Sequence, residues 1–208
     1  PSSLLQIDKK NKLIDIQITS ILKVFNNIEI ILCVGFEAEK ISKYIRQKHP
    51  SINLRIVENQ LFNETNSCEA LRLSLNNVTN DKIFLLDGNL LFNYKTLAKN
   101  DFNSSYIYVE SKNNNLEVGA NVNEDICVEY FSFGASKCWS EIMFLSDRRT
   151  IDYLRRVIGS ENYRKKFIFE ALNELIKAKF KITTIENSHS VKKINNIKIY
   201  HELKANKK

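Results

Sequence analysis

The sequence predicts an α/β protein: a three-layer α/β/α sandwich around a mostly parallel, Rossmann-like central sheet, with a small antiparallel portion. Three observations carry that expectation. Strand-like and helix-like segments alternate about four times in the first hundred residues, the rhythm of parallel strands joined by right-handed crossovers. Ile83, Phe84, Leu85 and Leu86 form a short unbroken apolar run, as expected of a strand covered on both faces. Beyond residue 104 the rhythm changes: 105–110, 116–122 and 126–133 are strand-like, rich in Tyr, Val and Ile, with no helix between them, and antiparallel pairing follows.

Taken in order, Leu4, Leu5 and Ile7 suggest a short strand ending at Asp8. Ile14, Ile18, Ile21, Leu22 and Phe25 share one helical stripe. Residues 28–34 read as a buried strand broken by Gly35, and Ala38, Ile41 and Ile45 mark a helix that Pro50 stops. Residues 54–57 form the next strand. Asn66 with Glu69 three residues later has the spacing of a capping box, and Cys68, Leu71 and Leu75 lie on one face of the helix it opens. After the strand-rich stretch, 136–144 has helical spacing. Ser160 is the expected cap of a helix carrying Phe167, Ile168, Ala171, Leu172, Leu175 and Ile176. A strand over 180–185 and a helix-like segment over 195–203 close a chain expected to be one domain, 1–208.

Composition excludes several classes. The 208 residues include only 5 Gly and 2 Pro, too few for long linkers. No stretch approaches the roughly 18 apolar residues of a membrane span. The net charge of +7 is spread over helices carrying both signs and a Lys-rich tail, with no basic stripe or reading motif for nucleic acid. That surface favours phosphorylated ligands. The four cysteines lack metal or redox spacing and read as reduced core thiols of a cytoplasmic protein. His49, His189 and His201 share no ligand spacing, and Trp139 is expected to pack on the sheet. Lys192 and Lys193 could take over some phosphate neutralisation, a solvated pair being the plainer reading, and Arg148 and Arg149 read as surface residues.

Two places carry candidate chemistry. The apolar strand ends at Asp87-Gly88-Asn89, and ligands of open α/β sheets sit beyond such strand ends. A carboxylate and an amide around a glycine suit a cation or a phosphate-bearing ligand; a polar turn is the plainer alternative. The helix starting near Thr65, Asn66 and Ser67 presents amides able to receive a phosphate or a base carbonyl, unless it is simply a well-capped helix.

These residues, in their order, resemble the nucleotidyltransferases of the molybdopterin-guanylyltransferase-like and sugar-phosphate nucleotidyltransferase type, the phosphocholine cytidylyltransferase-like branch in particular. Residues 1–8 (PSSLLQID) are similar to that family's Pro-Lys-Pro-Leu-Leu segment, and 12–18 to the helix start after it. Residues 30–41 and 63–75 resemble its second strand and helix and its Asn-rich helix entry. Residues 84–92 resemble its metal-bearing strand, 131–136 a later strand, and 163–176 a segment ending Glu-Asp-Ala-Leu-Asn. The resemblance spans nearly the whole chain, through several weak motifs rather than one sharp one. It implies a nucleotide-diphospho-sugar transferase type of fold. The implied activity is transfer of a nucleotidyl group from a nucleoside triphosphate to a sugar-phosphate or phosphocholine-type acceptor, with pyrophosphate release and Mg²⁺. The implied partners are the triphosphate and a small phosphorylated acceptor, with no nucleic acid or membrane; homo-oligomerisation is left open. It places metal and catalytic roles on Asp87, Asn89 and Asn195, and substrate binding on Thr65, Asn66, Ser67, Gly88 and Glu170.

The sequence also departs from the family. An N-terminal strand and glycine-rich loop would precede Pro1, and Ser2 stands where a lysine is expected. Asn89, which holds the family position rather than Asp87, and Asn195 replace the two acids. A neutral amide can ligate a metal but adds no charge. The resemblance therefore implies either a nucleotidyltransferase with a depleted metal site or a catalytically impaired binding or scaffolding protein. A nucleotide-sugar glycosyltransferase is a further alternative, since Asp87-Gly88-Asn89 half resembles an Asp-x-Asp clamp.

Overall fold

The structure, a computed structural model, describes residues 1–98, 102–111, 116–187, 189 and 191–205. In chain order its elements are α1 (Leu13–Leu22), β1 (Ile30–Val34), α2 (Ala38–Lys48), β2 (Leu54–Glu58), α3 (Ser67–Leu75), β3 (Ile83–Leu86), β4 (Leu90–Leu91), α4 (Tyr94–Leu97), β5 (Tyr106–Glu110), β6 (Val118–Val122), β7 (Val128–Phe133), β8 (Lys137–Leu145), α5 (Arg148–Ile158), α6 (Ile168–Lys177), β9 (Thr183–Glu186), β10 (Lys192–Lys193) and α7 (Ile197–Ala205). Short 3-10 turns lie at Ser2–Leu4 and Glu161–Tyr163. This is a mixed α/β fold with a central multi-strand sheet and helices. The chain divides into two compact units, one of Pro1–Ile28, Leu86–Asn100 and Asn187–Lys208, the other of Glu29–Leu85 and Asp101–Glu186.

The larger unit holds the main sheet, in the order β7-β6-β8-β5-β9, with β3 also paired to β8. β5 and β9 run parallel, as do β1 and β2 in their own two-stranded sheet. β8 is antiparallel to β5 and to β6, and β6 to β7. The antiparallel pairing expected of the strand-rich stretch thus holds for β6 and β7, while β5 takes β8 and β9 as neighbours. Leu71, Leu75, Ile151, Leu154, Leu172 and Leu175, from α3, α5 and α6, form one apolar core with Ile107, Val109, Trp139 and Met143 of the sheet. In the smaller unit α1 and α7 pack around Ile7, Leu13, Ile194, Tyr200 and Leu203.

Three sequence expectations are corrected, and one helix is added that the sequence reading did not contain. The helix over 136–144 is strand β8. Glu141 takes a left-handed backbone conformation, φ 57°, and the register jumps from Ile107↔Met143 to Val109↔Trp139. A bulge there shifts the strand's alternation, so the buried Trp139, Ile142 and Met143 acquire the spacing of a helix face. The helix expected from Ser160 begins instead at Ile168, where the Phe167 N–H donates to Glu170 Oε2 at 2.8 Å. Arg148 and Arg149 open a helix, α5, that sequence reading missed. Its apolar positions Ile151, Leu154 and Ile158 stand among five charged residues, and Asp147 caps it by accepting from the Thr150 amide at 2.8 Å. Residues 2–4 form a 3-10 turn rather than a strand, and Gln6 bridges Lys12.

At the sheet's margin the side chain of Asn173 on α6 meets the backbone of β7. Asn173 Nδ2 donates to Phe131 O at 3.0 Å, and the Phe131 N–H donates to Asn173 Oδ1 at 2.7 Å. Gly119 on β6 is required by close approach, since a Cβ there would lie 2.3 Å from Lys137 O. Gly119→Ala must push β8 away, and a loss of about 2 kcal/mol is expected in chemical denaturation, in the range for overpacking.

Candidate functional site

The site lies in the smaller unit, where the chain leaves β3. Asp87-Gly88-Asn89 forms a turn in which the Asn89 N–H donates to Asp87 Oδ1 at 3.2 Å, a carboxylate bonding its own backbone two residues on. The chain then enters β4, paired antiparallel to β10 through Leu90↔Lys193 and Leu91↔Lys192. The Ile194 N–H donates to Asn89 O at 3.0 Å and extends that pairing by one step. Asn89 and Asn195 are thereby brought face to face, and Asn89 Nδ2 donates to Asn195 Oδ1 at 2.7 Å. Two residues 106 apart in sequence meet as the resemblance implies.

Helix α1 fixes the turn from behind. Gln17, only 6% exposed, donates Nε2 to Leu90 O at 2.8 Å and to Asp87 O at 3.3 Å. Ser20 donates to Phe92 O at 3.4 Å. Sequence reading missed both. The signal was present: polar residues on the buried face of an amphipathic helix are kept where a backbone group needs a partner. Gly88 has open space around it and no left-handed φ, so the bend proceeds without calling on glycine's freedom.

The donor set does not fit a resident Mg²⁺. The cation is hard and small and is held by one or two carboxylates together with substrate phosphates; here Asp87 is the only carboxylate of the three, too little to keep an ion without those phosphates, and its Oδ1 accepts from the Asn89 amide. Asn195 Oδ1 is taken by Asn89 Nδ2. Asn89 Oδ1 is buried without a hydrogen-bond partner among the described residues, but it is neutral. Among the described residues no group of three or more His, Cys, Asp or Glu stands ready for a metal.

The other candidates lie in the larger unit, where they join the starts of α3 and α6. Thr65 Oγ1 accepts from Asn59 Nδ2 at 3.0 Å and donates to Leu61 O at 2.7 Å. Asn66 Oδ1 accepts from the Ser67 amide at 2.8 Å. The Asn66 and Cys68 amides donate to Arg164 O and Lys166 O, and the Glu69 amide to Asn66 O. Ser67 Oγ accepts from the Ile168 amide at 3.0 Å, one residue from where Glu170 caps Phe167. Amides expected to be open to a phosphate are thus already donors within the protein. Nor does Glu69 complete a capping box; it takes a two-pronged hydrogen bond from Arg72, 2.7 Å on each arm.

Cys68 is buried at this joint and donates to Phe167 O at 3.2 Å. Burial first, and the Glu170 carboxylate second, push its thiol up to about 12. The thiolate is the nucleophile, so Cys68 is expected to alkylate far more slowly than the partly exposed Cys127 at pH 8, read by mass spectrometry. Cys68 modified as fast as Cys127 would contradict this burial.

This is a nucleotidyltransferase fold, as comparison with solved structures shows. CTP:phosphocholine cytidylyltransferase from Streptococcus pneumoniae is similar at TM-score 0.82 and 20% identity, over 100% of this chain and 90% of that one. UDP-glucose pyrophosphorylase, solved with UDP-glucose, is similar at TM-score 0.80 and 11% identity, again over 100% and 90%. The inositol-1-phosphate CTP transferase of T. maritima follows at 0.74 and 15%, over 97% and 86%. No family model matches the chain, and no curated protein matches it by sequence.

Proposed function

We propose that this chain is a nucleotidyltransferase-fold protein that binds a nucleoside triphosphate or a related phosphorylated ligand without a resident divalent cation, and that its capacity for nucleotidyl transfer is impaired. The observation that carries this reading is the 2.7 Å contact between Asn89 and Asn195. Two carboxylates at that separation would repel, by about 1 kcal/mol once solvent screening at the exposed Asn195 is allowed for, and would favour a cation or a proton between them. Two amides attract, at about 1 kcal/mol net, and need neither. The residues at the positions of the family's acids therefore form a closed pair by themselves.

A second reading keeps catalysis: transfer of a nucleotidyl group to a sugar-phosphate or phosphocholine-type acceptor, with Mg²⁺ carried in by the triphosphate. Similarity over the full chain to a phosphocholine cytidylyltransferase favours it. No described helix is long and apolar enough to cross a membrane, and both readings take small phosphorylated ligands as partners and a cytoplasmic setting.

Calorimetric titration with CTP, UTP and GTP, with and without Mg²⁺, separates the readings when joined to a pyrophosphate-release assay on phosphocholine and sugar 1-phosphates. Binding of one nucleotide at equal affinity in both conditions, without pyrophosphate release, is the expected result. Release of pyrophosphate that requires Mg²⁺ would establish the second reading in its place.

A further inference from the structure

The larger unit contains a cavity of about 520 Å³ that the site above does not include. Asn103, Ser105 and Thr183 line it near the starts of β5 and β9, Ser146 and Asp147 before α5, and Lys179 and Lys181 after α6. Its volume is in the range of small-molecule sites. The hydroxyls are mostly satisfied within the protein: Ser105 and Ser146 bond each other at 3.1 Å, and Thr183 Oγ1 bonds Ser105 O. What the lining adds is positive charge, on side chains open to solvent.

Among the described residues three cations line this cavity: Arg149, Lys179 and Lys181. None makes an ion pair among the described residues. Among the described lining residues the one carboxylate, Asp147, is already committed, taking the Thr150 amide and hydroxyl at 2.8 and 2.7 Å. The adjacent arginines make the contrast. Arg148 is engaged by Asp152 at 3.0 Å and by Thr79 O at 3.1 Å. Among the described residues Arg149 pairs with no carboxylate; it lies over the Phe180 ring, 5.4 Å from its centroid, a contact that orders a guanidinium without neutralising it. Lys179 holds φ 65°, a left-handed position after a helix where glycine is the default.

We propose that this cavity is a second, separate binding site, for a small phosphate-bearing molecule. Arg149 supplies the forked donor that suits a phosphate, Lys179 and Lys181 supply point charges, and the start of α5 adds its dipole in the same sense. The site is independent of the reading given to Asn89 and Asn195.

The test uses the full chain, isotopically labelled, titrated with inorganic phosphate and then pyrophosphate and followed by NMR. Saturable shifts confined to the amides of 146–150 and 179–183 are expected. Arg149→Gln and Lys181→Gln are each expected to weaken binding about tenfold or more, the scale of one charge-assisted hydrogen bond, with an unchanged melting temperature. Asn89→Ala should leave these shifts in place, which separates this site from the other. Absence of saturation, shifts scattered over lysines throughout the surface, or full binding by the doubly substituted chain would each overturn the proposal.

Discussion

Asn89→Asp combined with Asn195→Asp is expected to destabilise the protein by about 2 kcal/mol in the presence of a chelator. About half is the lost amide hydrogen bond and about half carboxylate repulsion, discounted because Asn195 is exposed and solvent screens it. Mg²⁺ should reverse the loss, since a cation bound only by the folded state at a hundred times its Kd returns about 2.7 kcal/mol. The melting temperature of the double variant should therefore rise with Mg²⁺ while that of the parent chain does not. One carboxyl of the new pair would also hold its proton to higher pH than usual, so the deficit should shrink as pH falls through the carboxylate range. A variant as stable as the parent in chelator, and indifferent to Mg²⁺, would refute the view that the two amides substitute for a metal-bridged acid pair.

Arg72→Ala is the second large effect. Glu69 is 5% exposed at its side chain and Arg72 22%, joined at 2.7 Å. Removing the guanidinium leaves a buried carboxylate without its partner, and a loss of about 3 kcal/mol is expected, at the lower end of the range for breaking such a pair. The Arg72 hydrogen bond, more than any other cause, holds the Glu69 carboxyl below its ordinary range. A depressed carboxyl contributes stability above the unfolded value of about 4.3, which is lost as pH falls through the lower folded value. The parent should accordingly lose stability below about pH 4, and Arg72→Ala should show a shallower acid limb. Denaturation curves across pH 3–7 read both, and parallel curves for the two proteins would exclude the pair as a source of acid sensitivity.

The longer helices and strands of the first half were legible because their apolar spacing is uninterrupted: Ala38, Ile41 and Ile45 fall on one face of α2, and all three are buried. Legibility failed where a local device disturbs the period. The left-handed Glu141 bends β8 and imitates helical spacing, and the arginines of α5 hide a three-residue apolar stripe behind charge. At the candidate site, Asn89 and Asn195 could be paired on paper because family resemblance set them side by side, and the fold places them in contact. Gln17 escaped notice because a buried glutamine announces its role only when the carbonyls it serves, on Asp87 and Leu90, are known in space. The engagement of the α3 amides by 164–166 was likewise illegible, since sequence shows a cap but not what already fills it.

One feature of the sheet's margin bears on how the molecule behaves in company. An unpaired outer strand is a template on which another chain can add itself, and natural sheets blunt such templates. Asn173 imitates the rung of a missing neighbour, giving one donor and one acceptor to Phe131 in the midst of exposed Tyr130 and Phe133. Replacing that carboxamide with leucine would strip the rung and leave the Phe131 amide and carbonyl open among greasy side chains, and increased self-association, read by light scattering, is the expected result.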